Sequence, residues 1–360
     1  MTSRTPTSGP LRAMARGVRA NWMAIAIAVV LIAAVVFLVP SFFQPSNLLN
    51  VGRQSAIVGV IAIGMTFVIL TGGIDLSVGS ILALSGVTMA MLVNDGWVIG
   101  SAMLVALVVG LVAGIVNGIG VALLHIQPFI MTLATMVGIA GIALRVTSGG
   151  PQQFDNSAEV FRIIGSGNLF GIPGPFIVFV IVAIAGILVL RYLTFGRFLY
   201  AIGGSQEAAR LSGVRTSRTL IVAYAVSGLT AGLAGIMTAS RIGTGDPTAG
   251  SLANLDAITA VVIGGTSLMG GTGGAVGTVF GALLLAVLSN VMNLIGISPF
   301  DQQIVKGAVI IIAVLLAAGA TRRRFRGRRA DNGSTSGAST MPDPKRVELG
   351  TPPQGSERTN

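Results

Sequence analysis

The sequence predicts an all-α, polytopic membrane protein of about ten transmembrane helices, and three observations carry that reading. Hydrophobic residues make up 52% of the 360, charged residues only 10%, and the mean hydropathy is +0.85, far outside the range of a soluble domain. The apolar residues fall into runs close to the roughly 20 needed to cross a hydrocarbon core. The arginines, which carry almost all of the +11 formal charge, gather at the two ends and in one internal island, as they do in loops on the cytoplasmic face of a membrane. Charge placed in this way reports topology, and nucleic acid is a poor account of it. The 50 glycines follow no collagen-like period and suit helices that approach closely in lipid. With no cysteine in the chain, disulfides, thiolate catalysis and cysteine metal sites are excluded. No metal site is expected.

The spans follow in order. Trp22–Val39 comes after Arg4, Arg12, Arg16 and Arg19. This resembles a signal peptide, but the following PSFFQPSN offers no small-residue cleavage site, so it reads as a retained anchor. Leu48–Leu70, Leu76–Val93 and Val98–Leu124 are next, then Phe129–Thr147, with Pro128 at a helix start where its missing N–H is harmless. A polar loop, Ser148–Pro173, sets Arg162 against Asp155 and Glu159 and is expected outside. Beyond it lie Pro175–Leu193, Thr219–Ser240, a short segment Leu252–Ile263, Ala275–Ile295 and Gln302–Ala320. Even numbers of spans separate the arginine clusters, so both termini and the island are expected in the cytoplasm. The expected organisation is a basic N-terminus over 1–21, a transmembrane domain over 22–320 and a basic, disordered tail over 321–360.

The island, Thr194–Arg218, is the most informative stretch. Ser205 stands at an N-cap position, Glu207 and Ala208 fall in the first turn, Arg210 and Leu211 follow, and Gly213 supplies a left-handed stop. About two turns of helix are marginal alone in water. This helix therefore needs a support, and it points to a soluble partner.

Ionisable groups at membrane depth are costly and mark function more often than surface charges do. Asp75, in TGGIDLSVGS, is placed to cap the next helix by accepting from the N–H of Ser77 or Val78, and Ser77 and Asp75 are also candidates for a translocation path or gate. Asp256 begins LDAITAVVIGG and carries the same two readings, in a segment short enough to be a discontinuous helix lining a cavity. Gln127, Phe129 and Thr132 open a Pro-started helix that either faces a hydrated path or packs against a neighbour. Arg53, Arg145, Arg191 and Lys306 lie near span ends, where their stems can snorkel, and His125 reads as a loop residue. GGTSLMGGTGG, Gly264–Gly274, lacks the strand and the GK[ST] of a phosphate loop. It reads as a tight turn between packed helices, with Gly277 and Gly281 on the second.

Four blocks resemble one family: TGGIDLSVGS at Thr71–Ser80, QPFIMTLATM at Gln127–Met136, FGRFLYAIGGSQEAARLSG at Phe195–Gly213, and Pro247–Thr278. Together they are similar to the permease subunits of bacterial ABC importers for ribose and related monosaccharides. The resemblance spans about Trp22 to Ala320. It implies a permease with the vitamin-B12-importer-like (type II) fold that pairs with a second permease chain, as a homodimer or with a paralogue. Cytoplasmic ABC ATPase subunits would dock on Glu207–Gly213, and an extracytoplasmic sugar-binding protein would deliver the cargo. Alternating access, rather than covalent catalysis, is then expected. ATP would be used by the partners and no cofactor bound by this chain. The rival readings are an ion- or proton-coupled secondary transporter using Asp75 and Asp256, and a channel or scaffold. The shared blocks do not name the sugar.

Overall fold

A computed structural model describes residues 39–155 and 159–311, together with Val30 and Ala33. All of the predicted anchor over 22–39 except Val30, Ala33 and Val39, the end of the last predicted span and both predicted tails lie outside the described residues.

Helices dominate. The chain runs through α1 (Pro45–Leu70), α2 (Val78–Asn94), α3 (Ile99–Ala122) and α4 (Pro128–Val146). Next come β1 (Gln152–Gln153), a short α5 (Glu159–Gly165) and the hairpin β2 (Asn168–Leu169) and β3 (Ile172–Pro173). After α6 (Gly174–Tyr192) the island folds as α7 (Thr194–Gly204) and α8 (Gln206–Leu211). The remainder comprises α9 (Thr216–Ile242), β4 (Thr244–Gly245), α10 (Ala253–Ile263), α11 (Ala275–Leu294) and a final helix, α12, over 299–311. Among the described residues, six helices are long and apolar enough to cross a membrane: α1, α3, α4, α6, α9 and α11. Two shorter apolar helices, α2 and α10, fall below that length. The protein is therefore a mostly helical, multi-pass membrane protein.

The centre of the bundle is built on α1 and α9. In the most apolar 18-residue window of α1, 78% of residues are buried, against 11% for α4. Glycine makes the central packing possible. Gly110, Gly114 and Gly118 form one face of α3 against α9, where a Cβ on Gly110 would strike the Gly228 carbonyl and one on Gly114 the Tyr224 carbonyl. Backbones this close gain dispersion contacts that lipid tails cannot match. The turn over 264–274 joins α10 to α11 as expected, and a Cβ on Gly264 would meet the Gly277 carbonyl while one on Gly281 would meet that of Ala260.

Ser148–Pro173 is more than a polar loop. Its α5 buries Phe161 beside Phe154, and Ser240 of α9 donates to the Phe161 carbonyl at 2.7 Å. β1 pairs antiparallel with β4, Gln152 facing Gly245, and Arg53 of α1 donates to Asn168 at 2.8 Å. Arg53 is thus held by the loop. A helix of seven residues has too few turns for its apolar spacing to stand out in the sequence.

Candidate functional site

At one end of the bundle the island makes a small platform. α7 buries Gly196, Leu199 and Ile202 along one face, and Phe195 stacks on Phe67 of α1 with ring centroids 6.1 Å apart. Its tail reaches a junction of three glycine-rich backbones. A Cβ on Gly203 would strike both the Leu70 carbonyl and the Gly271 nitrogen, Gly271 N–H donates to the Leu70 carbonyl at 2.9 Å, and Tyr200 donates to the Gly273 carbonyl at 2.9 Å.

α8 stands on this platform. The Ser205 hydroxyl accepts from Ala208 N–H at 3.2 Å, which satisfies one of the free donors of the first turn. Arg210 forms a two-pronged pair with Glu207, at 2.7 and 3.1 Å, and Gly213 adopts φ +84° to end the helix. Hydrogen bonding from Arg210, reinforced by its charge, holds the Glu207 carboxyl below its ordinary range. One residue of the helix is buried: Ala209, against Ile202, Leu220 and Ala122. Leu211 is 77% exposed, and Glu207, Ala208 and Arg210 are exposed around it. The helix therefore presents an apolar tip within a charged rim.

A second constellation lies inside. Loop 71–77 ends α1 with Gly72 at φ +83° and carries Asp75 into the core, where it is 0% exposed. One carboxylate oxygen accepts from the Ser77 N–H at 3.0 Å and its hydroxyl at 2.6 Å, and the other accepts from Ser227 of α9 at 2.8 Å. Ser227 lies eleven residues into α9, about 16 Å along it. The chain of bonds continues: Asn117 of α3 donates to Ser77 at 2.7 Å, and Thr135 of α4 donates to Asn117 at 2.6 Å. Thr132 donates to the Ile74 carbonyl at 3.2 Å and Asn254 of α10 to that of Leu76 at 3.3 Å. Four helices therefore hold one non-helical loop through its polar groups. Such backbone is tolerated at membrane depth only when protein satisfies it in this way.

The predicted site residues thus divide. Asp75, Ser77 and Thr132 meet in the hub, and Asp75 does bond the Ser77 N–H, although Ser77 and not Asp75 holds the N-cap position of α2. Gln127 and Phe129 are exposed. Asp256 is not a cap: Leu252 occupies that position without a side-chain bond, and Asp256 instead accepts from Lys306 of α12 at 3.0 Å. Lys306 is thus paired with a carboxylate of α10, a partner its place near a span end did not suggest. His125 is exposed in the α3–α4 turn, at φ +54°. Sequence reasoning missed Asn117, Thr135, Ser227 and Asn254. Asn117 had a readable signal, a lone amide among glycines in an apolar helix.

Residues 47–314 match the family described as branched-chain amino acid transport system / permease component. The chain is 47% identical over 287 residues to the ribose import permease protein RbsC of Bacillus subtilis, covering 80% of this chain and 89% of that one. It is 44% identical over 289 residues to the RbsC of Escherichia coli K12, covering 80% and 90%. To the xylose transport system permease protein XylH of the same organism it is 35% identical over an alignment of 344 residues, covering 79% and 87%. No solved structure matches the chain. On the extent of the family match, borne out by these relatives, the chain belongs to the branched-chain amino acid transport system / permease component family.

Proposed function

We propose that this chain is the membrane-spanning permease subunit of an ATP-binding-cassette importer that carries a monosaccharide, ribose or a related pentose or hexose. The relatives are named as ribose and xylose permeases and not as enzymes. In this reading the chain has about ten spans in a type II arrangement, both termini cytoplasmic, and pairs with a second permease chain. ATP is consumed by separate ATPase subunits, and a binding protein supplies the sugar at the opposite face.

The observation that carries the proposal is α8. It is an exposed, capped helix with an apolar tip, resting on a platform that touches the end of α1 and the 264–274 turn. Force on α8 passes through α7 to the Gly203 junction, and from there to the Asp75 loop on one side and α10 on the other. Bundles packed through backbone contacts shift between discrete arrangements rather than deform smoothly. The coupling therefore tilts helices as units, as alternating access requires.

The test is uptake of labelled ribose and xylose into vesicles holding the chain with its ATPase and binding protein. Uptake is expected to require ATP and to vanish in Glu207→Arg, which places positive charge at a helix N-terminus and removes the Arg210 pair. Uptake driven by a proton gradient without the ATPase would refute the proposal in favour of a secondary carrier.

A further inference from the structure

The predicted eighth span, Leu252–Ile263, is helical from Ala253 as α10, but the chain leading into it is not. Beyond β4 the chain runs from Asp246 to Leu252 without forming a helix, and α10 begins after that. This stretch travels along α2: a Cβ on Gly245 would crowd Gly86 and Ala90, and one on Gly250 would strike the Gly79 carbonyl. Gly79 is fifteen residues from Asn94, about 22 Å along the helix. Non-helical backbone at such depth persists where protein covers it or water reaches it. Thr248, Ser251 and Leu252 are exposed.

Asp256 and Lys306 follow, paired at 3.0 Å with 21% and 26% of their side chains open. Lys306 lies seven residues into the helix that begins at 299, about 10 Å along it. Charged groups placed inside a bundle in this way face a hydrated cavity or another chain, and not lipid tails. The Thr248 hydroxyl donates to Asp246 at 2.8 Å, and a purely structural clamp explains the short contact but not the exposed Ser251 and non-helical backbone beside it.

We propose that Thr248, Ser251, Asp256 and Lys306 line a hydrated path, with the Asp256–Lys306 pair as its recognition point for a polyhydroxy solute. The carboxylate accepts from sugar hydroxyls and the ammonium donates to them, bonds strengthened by charge. Together the two carry no net charge and so set no barrier to a neutral cargo. The proposal rests on the sugar-importer reading for its solute, but the hydration of the path does not.

The chain has no cysteine, so single cysteines at Ser251 and Leu255 of the full chain in vesicles report accessibility unambiguously. Both are expected to react with a charged methanethiosulfonate, and Ile184→Cys on the exposed face of α6 is not. Failure of Ser251→Cys and Leu255→Cys to react would overturn the path itself, whatever the protein carries. In the complete transporter, Asp256→Asn and Lys306→Met are each expected to lower ribose or xylose uptake about tenfold or more, the worth of one charge-assisted hydrogen bond. The double neutral variant separates recognition from clamping. It is expected to retain the ATPase on purification while uptake stays low and the apparent KM rises. Recovery of uptake in the double variant would reduce the pair to a clamp and overturn the recognition role.

Discussion

Loop 71–77 and α8 are both short polar interruptions in an apolar chain, yet they are held in opposite ways. Asp75 is 0% exposed and engaged by two residues, with further bonds reaching α3, α4 and α10. α8 is fixed through Ala209 alone and shows Leu211 almost bare. Inside the bundle a polar group must find its partners within the protein. Outside it can be kept free for another molecule. The contrast separates polar residues satisfied within the protein from polar residues left open at its surface, and it can be broken or sharpened by substitution.

The largest effect on stability is expected from Asp75→Ala. It strands the Ser77 N–H and two hydroxyls, each worth about 1 to 3 kcal/mol when left unsatisfied, so about 4 kcal/mol is expected in total. Asp75→Asn keeps the shape and an acceptor for Ser77 and should cost well under half of that. Detergent unfolding curves compare the two, and equal losses would mean that the carboxylate is not the hub. Gly228→Leu should follow at about 3 kcal/mol, from overpacking against Gly110 and Gly114. The same curves measure it, and a neutral outcome would contradict the α3–α9 contact.

How much of this was legible in the sequence depends on range. α1, α3, α4, α6, α9 and α11 are visible because a membrane demands long apolar runs, and the cap, ion pair and stop of α8 are visible because they act within a few residues. The division of the island into α7 and α8 was not read, because Gly203 and Gly204 look like the end of a span-linked segment until α7 is seen against Leu70. Pairings such as Asn47 with Asn290, which exchange bonds at 2.9 and 2.8 Å, or Asp256 with Lys306 join distant segments. Nothing local in the chain specifies them.

At the exposed end of the comparison, Glu207→Arg should leave the unfolding curve of the permease almost unchanged while abolishing uptake. A large loss of stability there would show that α8 is structural after all. The smallest effect concerns pH. Because Arg210 lowers the carboxyl of Glu207 in the folded chain, the pair contributes fully above the ordinary range of a glutamate. That contribution is lost as the pH falls through the lowered value. ATPase retention should weaken over that acidic window in the native chain and show no such step in Glu207→Gln. An identical profile in both would assign the step to another group.

The account stands or falls on whether the ATPase meets α8. A single cysteine at Leu211, in a chain that otherwise has none, can be cross-linked in membranes that contain the complete transporter. The expected product joins this chain to the ATPase subunit, and Ile184→Cys gives none. A transporter that takes up sugar on ATP while Leu211→Cys never links to the ATPase would contradict the account.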